Sequence, residues 1–223
     1  MTLQNFEKSR EAMVVSQLQP SGVVSEAVMA AYRTVPREMF VPNNLRGVCY
    51  LDDDIDLGEG RFLMEPLIHA RIVQDADIER ADKILDIGGG TGYSAAILAQ
   101  LAGQVVALDQ DEKLLQQAPS HWEQLGLKNI TAVIGNHKDG YAKGAPYNMI
   151  VINGAVAALP EGLLSQLASG GRLYFVEQTE EDSAGHLMVV VKEPTSGVFL
   201  RKDLGNVSTS SLKGFEPAPT FVF

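Results

Sequence analysis

The chain has 223 residues, is 45% hydrophobic and 21% charged, and carries a formal net charge of −10 at pH 7. That length fits one large α/β domain with appendages and a real core, while the acidic balance argues against DNA, RNA or an anionic membrane as the main partner. Cys49 stands alone, which excludes a disulfide framework and a thiolate metal site of the usual spacing and makes a reducing cytoplasm the expected location.

Residues 3–19 and 25–35 read as amphipathic helices with a turn at Gln19-Pro20-Ser21-Gly22 and Ser25 as N-cap, a helical N-terminal cap. No basic segment there leads into an apolar core, and no apolar run in the chain approaches the length that spans a bilayer. Pro36 and Pro42 bracket the next stretch, and an acidic run, Asp52-Asp53-Asp54-Ile55-Asp56, leads through Gly58-Glu59-Gly60 to a helix opening at Pro66, a residue suited to the first helical position. Strands and helices then alternate: strand 83–87, helix 92–102, strand 104–108, helix from about 111 with a break at Pro119, strands 130–134 and 148–153, helix 161–168 and strand 172–177. Such alternation predicts a Rossmann-like, doubly wound, mostly parallel sheet. Residues 187–193 and 198–203 flank Pro194-Thr195-Ser196-Gly197 and read as an antiparallel hairpin at its edge. Residues 1–80 are therefore expected to form the cap and residues 81–223 the core of one compact unit, with Phe221-Val222-Phe223 as a docked terminal strand.

The most informative run is Ile84-Leu85-Asp86-Ile87-Gly88-Gly89-Gly90-Thr91-Gly92-Tyr93, a buried strand feeding a glycine loop that opens a helix. Glycines let a ligand approach the backbone, and the first N–H groups of the helix remain free to bind polar atoms. Asp86 just before the loop repels a pyrophosphate but suits the cationic methionine end of S-adenosylmethionine. Strand 104–108 ends in Asp109, 21 residues after Gly88 (109 − 88), where an acid can take both ribose hydroxyls. Gly90-Thr91-Gly92-Tyr93-Ser94-Ala95 also fits the dinucleotide pattern, so a nicotinamide oxidoreductase competes on spacing alone.

The chain resembles the protein-L-isoaspartate O-methyltransferases, within the class I S-adenosylmethionine-dependent methyltransferases, across nearly its whole length. Met13-Val14 with Gln17-Leu18, Val35-Pro36-Arg37-Glu38, Phe40-Val41-Pro42, the glycine loop, Ala145-Pro146-Tyr147-Asn148 and Gly170-Gly171-Arg172-Leu173 carry the resemblance. It implies the methyltransferase sheet with a reversed C-terminal hairpin, S-adenosylmethionine as methyl donor, and methyl esterification of L-isoaspartyl residues in damaged proteins, the ester then collapsing to a succinimide. By the same resemblance Asp86, Gly88, Gly90 and Gly92, with Tyr93, hold the methionine portion. Asp109, with Gln110 beside it, holds the ribose, Asn136 or a shifted Asp139 meets the adenine, and Asn153 lies under the donor.

The substrate loop departs from the family's Gly-x-Gly-Gln-Thr-Ile-Ser-x-Pro, reading Gly58-Glu59-Gly60-Arg61-Phe62-Leu63-Met64-Glu65-Pro66. Arg61, Met64 and Glu65 are the candidate catalytic residues. An ionised isoaspartyl carboxylate needs no strong base, and Glu65 repels it unless Arg61 neutralises one of the two. Glu65 alternatively serves as a base for another oxygen or nitrogen acceptor, or simply sits at a helix N-terminus, and Arg61 alternatively pairs with the 52–56 acids. A non-catalytic S-adenosylmethionine-binding protein is a further reading. His69 follows Pro66 and either faces the acceptor pocket or packs. His121, His137 and His186 are scattered without ligand spacing, and Trp122 is expected to pack; no metal is expected.

Overall fold

The computed structural model describes residues 3–179 and 182–215. Helix α1 (Leu3–Met13) runs on into a π turn at Val14–Leu18, and α2 (Glu26–Thr34) is capped by Ser25, whose hydroxyl accepts from Val28 N–H. Strands β1 (Ile55–Gly58) and β2 (Arg61–Leu63) form a separate two-stranded hairpin, and α3 (Pro66–Asp75) starts at Pro66 as the sequence predicts. This hairpin was not anticipated: β1 is four residues long and grows out of an acidic run that masks its alternation.

Next come β3 (Lys83–Ile87), α4 (Tyr93–Leu101), β4 (Gln104–Asp109), α5 (Glu112–Leu115), α6 (Ala118–Gln124), β5 (Ile130–Ile134), β6 (Tyr147–Val156), α7 (Glu161–Leu164), β7 (Leu167–Glu177), β8 (Gly185–Lys192) and β9 (Phe199–Val207). The expected helix 161–168 is a single turn. Its residue Gln166 turns back instead, donating to Asp139 C=O at 2.8 Å and accepting from Tyr141 N–H at 2.9 Å, and β7 begins one residue later. The break expected at Pro119 is real: α5 and α6 are distinct, and Pro119 sits in the first turn of α6, where its missing N–H costs nothing. The expected terminal strand at 221–223 lies outside the described residues.

Seven strands form one sheet in the order β5-β4-β3-β6-β7-β8-β9, parallel from β5 through β7 and antiparallel from β7 to β9. The chain leaves β3 toward β4 and β5, then returns to the other side of β3 as β6. Between β3 and β6 lies the switch point where ligands bind in such sheets. Both faces of the central strands β3, β4 and β6 are covered, so these strands are mostly apolar: Ile84, Val105 and Val151 face the N-terminal helices, and Leu85, Val106 and Ile150 the opposite layer. The first cluster is continuous from Phe6 through Tyr32 and Phe62 to Val207, so cap and sheet share one core. Arg37, fully buried, ties cap to hairpin: its Nε donates to Cys49 C=O at 2.7 Å and its Nη2 to Met64 C=O at 2.8 Å, with the guanidinium over the Tyr93 ring.

Candidate functional site

The site forms where the glycine loop leaves β3. Gly88 takes φ +76, and a Cβ there would stand 2.6 Å from Leu212 Cδ2. Leu212 comes from the C-terminal segment, which lies along the end of β6: Leu212 N–H donates to Ala155 C=O, and Ala155 N–H to Ser210 C=O. Asp54 fastens that segment to the hairpin, accepting from Ser210 N–H at 2.7 Å and Glu65 N–H at 2.9 Å.

At the end of β3, buried Asp86 anchors a polar chain. Its Oδ1 accepts from Ser94 Oγ at 2.6 Å and Asn153 Nδ2 at 2.7 Å. His69 Nε2 lies 2.8 Å from Ser94 Oγ, and Tyr32 O–H 2.6 Å from His69 Nδ1. Because Ser94 gives its only proton to Asp86, His69 must donate from Nε2 and accept Tyr32's proton at Nδ1, which fixes its tautomer. Burial, then the Arg37 charge, lowers His69 to about 3, so it is neutral. Burial pushes Asp86 up to about 6 against the pull of Ser94 and Asn153. Its other oxygen, Oδ2, is buried without a hydrogen-bond partner, an acceptor waiting for a donor beside the glycine loop.

At the end of β4, Asp109 is saturated. Arg61 Nη1 donates to Oδ1 at 2.5 Å and Nη2 to Oδ2 at 2.7 Å, while Gly90 N–H and Asp111 N–H add bonds at 2.9 and 2.8 Å. His137 Nε2 stands 3.3 Å away. Burial raises the Asp109 carboxyl, but Arg61 and His137 outweigh it and hold it well below the usual carboxylate range. Arg61 and Asp109 are each 1% exposed at the side chain.

Met64 is buried and Glu65 half-buried at the start of α3, without a capping bond from its side chain. Burial and the neighbouring Asp52, Asp54 and Asp53 raise Glu65 to about 7. Among the described residues no cluster of three or more His, Cys, Asp or Glu could hold a metal ion.

Residues 8–208 match the family described as protein-L-isoaspartate(D-aspartate) O-methyltransferase. The chain belongs to this family. It is 38% identical over 219 residues to the protein-L-isoaspartate O-methyltransferase of Koribacter versatilis, covering 97% of each chain, and 39% identical over 166 residues to that of Methanoculleus marisnigri, covering 74% of this chain and 76% of the relative. Among solved structures, a protein-L-isoaspartate O-methyltransferase shares the fold with TM-score 0.80 at 24% identity, over 92% of this chain and 67% of that one. A Plasmodium falciparum protein described as a putative member, in complex with S-adenosyl-L-homocysteine, does so with TM-score 0.74 at 18% identity, over 94% and 98%.

Within this family fold, Asp86, Gly88, Gly90, Gly92, Asp109 and Asn153 lie together around the glycine loop. Tyr93 lies at its margin, its ring packed edge-on against Tyr32 and Phe40. Arg61 requires a correction: it pairs neither with the 52–56 acids nor with Glu65 but reaches 48 residues along the chain to Asp109, because a buried carboxylate demands a countercharge and the hairpin delivers one. Asn136 is exposed, and its Oδ1 accepts from Lys138 N–H at 2.8 Å, capping a turn. Gln110 donates from Nε2 to Lys213 C=O at 3.2 Å.

His137, read as scattered, is buried against Asp109, and His69 joins the Asp86 chain. Sequence reading also missed Ser94, Tyr32 and Leu212. Ser94 and His69 carried a signal in being polar on apolar helical faces; Leu212 carried none.

Proposed function

We propose that this protein is an S-adenosylmethionine-dependent methyltransferase that methylates the carboxyl group of L-isoaspartyl residues in damaged proteins, acting in the cytoplasm. Family membership over residues 8–208 supports the reaction. The observation that carries donor binding is Asp86 Oδ2, a buried carboxylate oxygen with no partner beside a glycine cradle. We take residues 1–80 as the part that carries the substrate loop and 81–223 as the part that holds the donor.

Bound S-adenosylmethionine supplies an electrophilic methyl group on a sulfonium. Around it, Asp86 accepts the methionine ammonium at Oδ2, while Ser94 and Asn153 hold the carboxylate in place through Oδ1. Asp109 is the ribose acid. The acceptor carboxylate is already ionised at neutral pH, so this chain need supply no proton transfer; it orients, and orientation is worth roughly 7–11 kcal/mol in well-aligned cases. Phe62, Leu63 and Met64 wall the acceptor side with apolar groups that exclude water, and Glu65, next in the chain and raised to about 7, is the ionisable group nearest that wall in sequence. The residues retained at the methionine end fit the donor, and the ribose acid is present but held by Arg61.

Transfer of labelled methyl from S-adenosylmethionine to an isoaspartyl peptide, with the aspartyl peptide as control, tests this reading. Base-labile label on the isoaspartyl peptide alone is the expected result. Label on neither, with S-adenosylhomocysteine bound, would move the acceptor to another oxygen or nitrogen nucleophile, the alternative that Glu65 favours.

A further inference from the structure

Arg61 lines an outer groove, and its Nη2 donates at 3.1 Å to the carbonyl of Gly88, which lines an inner cavity, so its guanidinium lies between the two. Outside it is a groove of about 410 Å³ lined by Glu59, Gln110, Asp111, Glu112 and Lys213. Inside is a cavity of about 10 Å³ against Gly88, Ser94 and Asn153, room for about one water and none for an amino acid. A donor whose methionine end reaches Asp86 and whose ribose reaches Asp109 must occupy both spaces and the wall between them. Asp109 has about four lone-pair directions, and all four are taken, two of them by the Arg61 fork.

The wall is a single long side chain at the start of β2, just after an exposed turn, while the following Phe62 and Leu63 are packed in the core. Arg61 follows Gly58, Glu59 and Gly60, at φ +89, +54 and +73, at the exposed tip of a hairpin outside the main sheet. Glu59, Asp111 and Glu112 on the outer groove offer carboxylates to a released guanidinium.

We propose that Arg61 is a gate on the methyl-donor site: its guanidinium occupies the ribose position, and donor binding proceeds by exchange of Asp109 from Arg61 to the ribose hydroxyls as the Arg61 side chain turns out into the groove. The proposal rests on the donor reading above. The donor's apparent dissociation constant is then its intrinsic value divided by the open fraction of the free protein, and the Arg61 side chain, at the edge of the acceptor pocket, moves when the donor binds.

The test uses S-adenosylhomocysteine as probe, with calorimetry for affinity and fluorescence of Trp122, the single tryptophan, for rate. Trp122 lies under the loop and donates from Nε1 to Gly92 C=O at 2.9 Å. Arg61→Gln, which loses the fork but keeps a donor, should bind at least about tenfold more tightly, as follows if the gate is closed about 90% of the time or more. In the unaltered protein the observed binding rate should level off with rising probe at an opening-limited ceiling, and in Arg61→Gln that ceiling should lift. Equal or weaker binding by a folded Arg61→Gln overturns the gate. Should that variant not fold, a rate in the unaltered protein that climbs linearly with no ceiling overturns it as well. If both proteins bind equally tightly, only the gate fails; if neither binds, the donor reading fails and takes the gate with it.

Discussion

Asp86 and Ser94 are joined by a hydrogen bond of 2.6 Å, and this bond determines the protonation of everything behind it. It commits the serine proton to the carboxylate, which obliges His69 to donate from Nε2 and Tyr32 to close the chain. The result is a rigid polar strut from the cap to the donor end of the site, built entirely of buried groups.

The strut makes Asp86 a costly residue. Burial lifts it to about 6, above the ordinary carboxylate range, so between about pH 4 and 6 the folded chain holds a proton the unfolded chain has lost. Stability falls across that window, by on the order of 3 kcal/mol. His69, lowered to about 3, imposes the opposite slope below pH 6.5, so the Asp86 contribution must be read as a difference. In urea denaturation, Asp86→Asn should gain on the unaltered protein as pH rises from 4 to 6 and keep a margin of about 1–2 kcal/mol above that, the new amide N–H₂ offsetting part of the gain. The same variant should bind S-adenosylhomocysteine about 10- to 100-fold more weakly. A variant equally stable at every pH would show that Asp86 is not a burdened carboxylate.

Glu65 gives the reaction its pH dependence. Raised to about 7 by burial and the neighbouring aspartates, it is protonated below neutrality and ionised above it. An ionised Glu65 facing an isoaspartyl carboxylate costs about 1 kcal/mol at roughly 4 Å in a water-like medium. KM for an isoaspartyl peptide should therefore rise about fivefold as pH passes upward through 7, and Glu65→Gln should flatten the profile at the low value. A rise that persists in the glutamine variant would place the titrating group elsewhere.

Gly88 and Leu212 should be energetically coupled. Alanine at 88 carries the strain of φ +76 and drives a Cβ to within 2.6 Å of Leu212. Gly88→Ala should cost about 2–4 kcal/mol. Combined with Leu212→Ala, the pair should cost at least about 0.5 kcal/mol less than the sum of the single changes, because the cavity left at 212 receives the methyl. Strict additivity in thermal melts would mean that the C-terminal segment does not lie over the glycine loop in solution.

Local signals were legible in the sequence and distant ones were not. The span of β3 could be read to the residue because a covered parallel strand is a mostly apolar run, interrupted here by Asp86, and the glycines punctuate its end. Ser25 and Pro66 were readable because caps depend on their immediate neighbours. The β1–β2 hairpin was hidden by its shortness, and α7 by the fact that Gln166 finds its partners some 25 residues away. The Arg61–Asp109 pair has no local signature at all: it joins a hairpin tip to the end of β4, and only the fold brings them together.

Arg37 has a consequence for the integrity of the chain. It precedes the exposed stretch at Asn43, Asn44, Arg46 and Gly47, yet the carbonyls it holds, those of Cys49 and Met64, all follow that stretch. A protease cut between Asn43 and Gly47 should therefore be silent in solution. The two fragments should elute as one body on gel filtration and separate only under denaturing conditions, so the polypeptide can be divided there while the fold stays whole.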